Sequence, residues 1–157
     1  MRFFLIDRVT AIDINNTITG IKAWSLDNEI FLDHFPGYPI VPGVFLTESM
    51  AQLFGLLVEQ SYYEQWGKSK KVYPILSIIQ KAKFREAVRP GDQTIIKAKQ
   101  ISLDKNRAVG KVQVFVQEKL MAEATLSFTI ASMSNVEPNK YMQRRDEFCH
   151  IVFNGIL

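Results

Sequence analysis

The sequence predicts an α+β fold of antiparallel strands with one long buried helix, and one way to surround such a helix is to curl the sheet about it and close the remaining side with a second copy of the chain. Three observations lead there. Between Val44 and about Trp66 there is no proline, and as far as Val58 every position is apolar except Thr47, Glu48, Ser49, Gln52 and Gly55; a helix that is apolar almost all round is buried almost all round. From Leu120 to Ile130 the residues Leu120, Ala122, Ala124, Leu126, Phe128 and Ile130 alternate with Met121, Glu123, Thr125, Ser127 and Thr129, the period of an antiparallel strand with one face in the core. The 157 residues suffice for one domain and one core, read as a domain over residues 1–131 and an extension over 132–157.

The elements follow in order. Residues 3–6 and 9–25, rich in Ile, Val, Phe and Thr, read as strands broken by a turn at Asn15-Asn16. Pro36-Gly37, Pro39 and Pro42-Gly43 forbid regular structure between Phe35 and Gly43, and Pro42 sits where a first helical turn tolerates a missing N–H, so the helix starts near Gly43. Gly67 and the lysines after it end the helix. Residues 72–88 read as a strand, Arg89-Pro90-Gly91-Asp92 as a turn, Gln93 to Leu103 as a strand and Asp104 to Arg107 as a turn. In Lys111 to Gln117 the valines Val112, Val114 and Val116 share one face. The tail from Ser132 begins polar, with Asn135 and Pro138, and ends apolar with Ile151-Val152-Phe153 and Ile156-Leu157. It is either a flexible extension or a segment docked on a partner subunit.

Composition removes several function classes. A hydrophobic fraction of 47% and a charged fraction of 22% are those of an ordinary globular chain. The net charge is only +3, and the basic clusters at Lys68-Ser69-Lys70-Lys71 and from Lys81 to Arg85 are short, so no nucleic-acid partner is expected. Cys149 is the single cysteine and has no partner for an intrachain disulfide, which fits a reducing compartment. Two histidines and one cysteine fall short of a zinc ligand set, so no metal is expected. Asp7 and Arg8 interrupt the N-terminal apolar run before it reaches signal-peptide length, and no stretch of about 18 apolar residues occurs elsewhere, so the protein is expected to be cytoplasmic and not inserted in a membrane.

Glu48 is the anomaly of the apolar helix. A carboxylate among apolar side chains is costly to ionise unless it is paired or hydrogen bonded, and otherwise keeps its proton, the state a general acid needs. Gln52 and Gly55 lie four and seven residues on, so the three share a narrow stripe that suits a slot beside the helix. The competing reading turns Glu48 to solvent or pairs it with a lysine. His34, held among turns, is of the residue type that most often serves as a base around neutrality, although a histidine beside Phe35 is more often a packed structural residue. Gly43 places unsatisfied backbone N–H groups and the positive end of a helix dipole where a carbonyl oxygen can be polarised. A base, an acid and an oxyanion-stabilising helix end suit proton abstraction next to a carbonyl with loss of a group that leaves protonated.

The segment His34-Phe35-Pro36-Gly37-Tyr38-Pro39-Ile40-Val41-Pro42-Gly43, followed by Glu48-Ser49-Met50-Ala51-Gln52, resembles the hallmark of the 3-hydroxyacyl-(acyl-carrier-protein) dehydratase family of fatty-acid synthesis. The resemblance runs over roughly residues 3–131 and takes in Phe4 to Val9, Ala82-Lys83-Phe84-Arg85 and Val88 to Asp92. It implies the hotdog fold and the dehydration of a 3-hydroxyacyl thioester to a trans-2-enoyl thioester. His34 is then the implied general base, Glu48 the general acid and Gly43 the amide that binds the thioester carbonyl. Val44, Gln52 and Phe35 join Gly43 as implied substrate-binding residues. A homodimer, often assembled further as a trimer of dimers, is implied, as is acyl carrier protein as the substrate-bearing partner, with Lys81, Lys83, Arg85 and Arg107 as candidates for its docking surface. No cofactor is implied, and Glu48 rather than aspartate resembles the branch that dehydrates without isomerising.

Where the family has glycine before the histidine this chain has Asp33, Ser49 replaces an alanine, the tail is longer than the family's usual ending, and the short segment that usually precedes the first strand is missing. The rival readings are a hotdog dehydratase of a specialised polyketide or aryl-polyene pathway, a catalytically silent acyl-binding subunit, and a hotdog thioesterase.

Overall fold

Six strands form one wholly antiparallel sheet in the order β1-β2-β4-β5-β6-β3 in a computed structural model that describes residues 3–132 and 140–157. The strands are β1 (Arg8–Asp13), β2 (Thr17–Ala23), β3 (Val72–Phe84), β4 (Gln93–Leu103), β5 (Arg107–Val116) and β6 (Lys119–Ser132), and the helices are α1 (Ile30–Asp33), α2 (Gly43–Trp66) and α3 (Lys140–Phe153). The long helix begins at Gly43 as its sequence predicts, and it ends at Gly67, whose φ of 80° suits glycine and whose N–H bonds the Tyr63 carbonyl.

The sheet curls around α2, burying Leu46, Met50, Leu53, Phe54, Leu57 and Val58 of the helix. Close approach is bought with glycine at two strand positions. A Cβ on Gly20 would lie 2.7 Å from Leu53 Cδ1, and one on Gly110 would lie 2.4 to 2.8 Å from the Phe54 ring. Phe54 in turn meets Phe128 edge-on, with ring centroids 5.3 Å apart. The inward residues of β6 are those of the even-numbered set: Ala122, Ala124, Leu126, Phe128 and Ile130 are all buried.

Several boundaries differ from the sequence-based expectation. Residues 3–6 form no strand; they run as an irregular segment held by side-chain bonds to α2. β3 stops at Phe84 rather than residue 88, because Val88 leaves the sheet to accept a bond from the Val41 N–H at 2.8 Å. α1 was not foreseen: its four residues are too few for a periodic signal, and they are organised by Asn28, whose carbonyl accepts from the Phe31 N–H. The polar start of the tail, with Asn135 and Pro138, lies outside the described residues. The end of the tail forms α3, which docks on its own chain. Arg145 pairs with Glu59, Lys71 Nζ lies 2.7 Å from Asp146 Oδ2, Phe148 stacks on Phe4 at 4.2 Å, and Val152 and Phe153 are buried. The face of α2 carrying Glu48, Gln52, Gly55 and Glu59 is therefore met by the two ends of its own chain.

β3 forms the edge of the sheet beside β6. It is long for an edge strand, and Ile75, Ile78, Ile79 and Phe84 along it are exposed, a combination that natural monomers avoid.

Candidate active site

Two clusters carry the polar groups predicted to matter. The first is the turn after α1. His34 caps that helix, and its Nδ1 lies 3.1 Å from the Ile40 carbonyl oxygen. A carbonyl only accepts, so Nδ1 carries the proton and the Nε2 lone pair is left to act as a base. The turn is braced by Phe35 N–H to Tyr38 O at 3.0 Å, Tyr38 N–H to Phe35 O at 2.8 Å and Ile40 N–H to His34 O at 2.9 Å, with Gly37 at φ 75°. Arg89 clamps it from outside, donating to the Tyr38 hydroxyl at 2.9 Å with its guanidinium over the Tyr38 ring. The imidazole is half-buried and stacks on Phe35 at 4.1 Å; Phe35 itself and Asp33 are exposed.

The turn leads directly into α2. Pro42 supplies no side-chain cap, so the helix start at Gly43 presents backbone N–H groups without a side-chain acceptor from its N-cap. The Phe84 ring of β3 lies against Gly43, where any Cβ would come within 3.0 to 3.2 Å of it, and Val44 beside it is 71% exposed. Gly43 and Val44 thus form an open shelf on the helix end.

The second cluster is one to two turns further along α2. Glu48 is half-buried, and its Oε1 accepts a bond from Gln52 Nε2 at 3.0 Å. The competing pairing with a lysine is not seen among the described residues. Gln52 spends its remaining amide groups on the N-terminal segment, donating to the Phe3 carbonyl at 3.0 Å and accepting from the Leu5 N–H at 2.8 Å. Its amide orientation is fixed by these bonds, and it holds Glu48 in one place. Glu48, Gln52 and Gly55 all border a cleft of about 1090 Å³, the slot their spacing predicts. His34, Phe35, Gly43 and Val44 do not border it. One chain therefore holds the surroundings of Glu48 and the turn of His34 as separate units.

The other wall of this cleft comes from residues that the sequence does not single out. Phe3 and Phe4 contribute from the N-terminal segment, and Phe148, Cys149 and Val152 from α3. Their signal was present in the spacing Arg145, Phe148, Cys149, Val152, one face of a helix. Burial pushes the Cys149 thiol up to about 11. Of the basic residues proposed for a docking surface, Lys81, Lys83 and Arg107 are exposed, while Arg85 is paired with Glu123, whose carboxyl it holds below the usual range.

A curved antiparallel sheet around a long helix, with a polar stripe facing a cleft, defines a protein of the hotdog fold. Solved structures agree: smu.793 from Streptococcus mutans bound to acetyl CoA aligns with a TM-score of 0.65 at 15% identity, covering 84% of this chain and 94% of that one. The dehydratase heterocomplex ApeI:P from Xenorhabdus doucetiae aligns with a TM-score of 0.65 at 16% identity, covering 92% and 90%. The chain belongs to the FabA-like domain family, which matches residues 1–125. It is 36% identical over 136 residues to the 3-hydroxyacyl-(acyl-carrier-protein) dehydratase FabZ of Symbiobacterium thermophilum, covering 87% of this chain and 92% of the relative. It is 39% identical over 129 residues to the protein of that name from Campylobacter jejuni, covering 82% and 87%.

Proposed function

We propose that this protein is a 3-hydroxyacyl-(acyl-carrier-protein) dehydratase of fatty-acid synthesis that works in the cytoplasm as a homodimer, with acyl carrier protein delivering its substrate. The observation that carries the reaction is the identity of 36% and 39%, spread over more than four-fifths of the chain, to relatives named for it. The geometry supports the division of labour. His34 Nε2 takes the proton from the carbon next to the thioester carbonyl while the Gly43 amide, at the positive end of α2, stabilises the charge that develops on the carbonyl oxygen. The electron pair becomes the new carbon–carbon double bond as the bond to the 3-hydroxyl breaks. Glu48 gives that oxygen its proton, and water departs. Phe35, stacked on His34, and Val44, in the first turn of α2, are both exposed and line the entrance for the thioester arm, and Gln52 acts on substrate through Glu48. No metal or cofactor enters this scheme.

The dimer is the assembly the edge of the sheet calls for. Antiparallel pairing of β3 with β3 of a second copy would bury Ile75, Ile78, Ile79 and Phe84 and satisfy the open edge. Because Phe84 rests on Gly43, that pairing brings the neighbour's strand to the helix end where the carbonyl is held. A trimer of dimers is the larger assembly proposed, with Lys81, Lys83 and Arg107 facing the acidic carrier protein.

The test is subunit complementation. His34→Ala and Glu48→Gln, each alone, lose activity by about 100-fold or more. Co-expressed and isolated as a mixed dimer, they regain turnover if each site takes its histidine from one subunit and its glutamate from the other, because one site then holds both native residues. A mixed dimer as inert as its parents would place both groups in one chain and remove the shared site.

A further inference from the structure

α3 begins at Lys140, beyond the residue 125 at which the family match ends, yet it forms one wall of the cleft that contains Glu48. The other long wall is α2. From Glu48 the cleft follows Gln52 to Gly55, about 10 Å along the axis at 1.5 Å per residue. At Gly55 a Cβ would meet only Phe128 Cε1, at 3.9 Å, so the missing side chain leaves the groove open there. One turn further on, Glu59 is tied to Arg145 by two hydrogen bonds, which fixes α3 across the helix. Phe148 is held by its stack on Phe4, and Val152 is 1% exposed. α3 brings Arg144, Arg145 and Glu147 to the cleft together with Phe148, Cys149, Ile151 and Val152; Arg145 is engaged by Glu59, and the apolar set offers the contact that recognises a hydrocarbon chain.

We infer that α3 is the length gauge of this enzyme: its Phe148, Cys149 and Val152 face is the wall against which the far part of a thioester's acyl chain stops. The inference rests on the dehydratase reading for the nature of the thioester. It goes beyond that reading in assigning chain-length selection to a segment outside the matched domain. An apolar wall discriminates between chains by about tenfold or more for each methylene it admits or refuses.

The experiment compares the full chain with Phe148→Ala, which deepens the cleft, and Phe148→Trp, which shortens it, each checked for native circular dichroism. Two quantities are read across straight-chain thioesters of increasing length: kcat/KM for the 3-hydroxyacyl series, and calorimetric affinity for the saturated series, which cannot react. The long-to-short ratio is expected to rise about tenfold in Phe148→Ala and to fall about tenfold in Phe148→Trp, in both readouts. Shifted affinity ratios with no turnover by any form would sustain the length gauge and sink the dehydratase reading. Superimposable length profiles in the folded variants, or no affinity for any saturated thioester in the unsubstituted protein, would overturn the inference and leave α3 a structural strap.

Discussion

Arg145 of α3 grips Glu59 of α2 across 86 residues of sequence, donating from Nη1 to Oε1 at 3.1 Å and from Nη2 to Oε2. Glu59 is 5% exposed. Burial alone disfavours the Arg145 charge, but the hydrogen bonds and charge of Glu59 outweigh it and hold the guanidinium's pKa above its ordinary value. This pair is the clasp between the helix that carries the site and the helix that walls it.

Removing one half of a buried pair strands the other. Arg145→Ala is expected to cost about 3 kcal/mol, the low end for such a break because Arg145 keeps some contact with water. Glu59→Leu combined with Arg145→Met is expected to recover most of that loss, since matched apolar groups replace a desolvated pair at little net cost. Denaturant midpoints of the single and double variants measure both.

The close approach of α2 to the sheet depends on Gly110. Phe54 is fully buried, so its ring has no room to yield to a Cβ that would sit 2.4 Å away. Gly110→Ala is expected to destabilise the protein by about 1–3 kcal/mol. Gly55→Ala, where the nearest atom is at 3.9 Å, is expected to be neutral or mildly stabilising. Thermal unfolding of the two variants side by side gives the contrast.

Much of this architecture was legible in the sequence, for identifiable reasons. α2 was readable because Pro42 and Gly67 bracket it and its apolar run is unbroken apart from the Glu48 stripe. β4 and β6 were readable because one face of each meets the core, so a period of two survives. Glu48 stood out because it is the one carboxylate in a mostly apolar run from Val44 to Val58. The spacing of Arg145, Phe148, Cys149 and Val152 marks one face of α3, but where that face docks depends on Arg145 and Phe148 meeting Glu59 and Phe4, partners more than 80 residues away that no local pattern announces. Residues 3–6 misled for a similar reason. Their apolar, strand-like composition serves to cover α2, and the Gln52 amide takes the backbone groups a strand would have paired.

Cys149 reports on whether α3 is seated. Its thiol is pushed up to about 11, so it stays protonated through the range where an ordinary thiol, with a pKa of about 8.5, begins to ionise. Alkylation of the folded protein near pH 8.5 is expected to be at least about tenfold slower than of the unfolded chain. The raised folded-state value also means that the unfolded chain releases its proton first as pH rises. Stability is thus unaffected by this group below about pH 8.5 and declines from there towards pH 11. Alkylation rates as a function of pH, with Cys149→Ser as the blank, measure the first effect, and unfolding midpoints over the same range measure the second.

In the proposed mechanism Gln52 is a positioning residue. Gln52→Leu removes the bond that orients Glu48 and the two that anchor residues 3–5. A lost bond to a carboxylate of about 1.5 kcal/mol corresponds to roughly tenfold in rate. The loss is expected in kcat more than in KM. Reduced stability with kcat and KM unchanged would assign Gln52 to scaffolding alone.

The central claim is that His34 and Glu48 dehydrate a 3-hydroxyacyl chain carried on acyl carrier protein. The most direct test incubates purified protein with 3-hydroxyacyl-carrier protein over a panel of chain lengths and follows the loss of water by mass spectrometry, beside His34→Ala and Glu48→Gln. The account predicts a trans-2-enoyl product with the native protein and a drop of about 100-fold or more in each variant. A folded, dimeric native protein that forms no enoyl product at any length, or a His34→Ala variant that turns over normally, would contradict it.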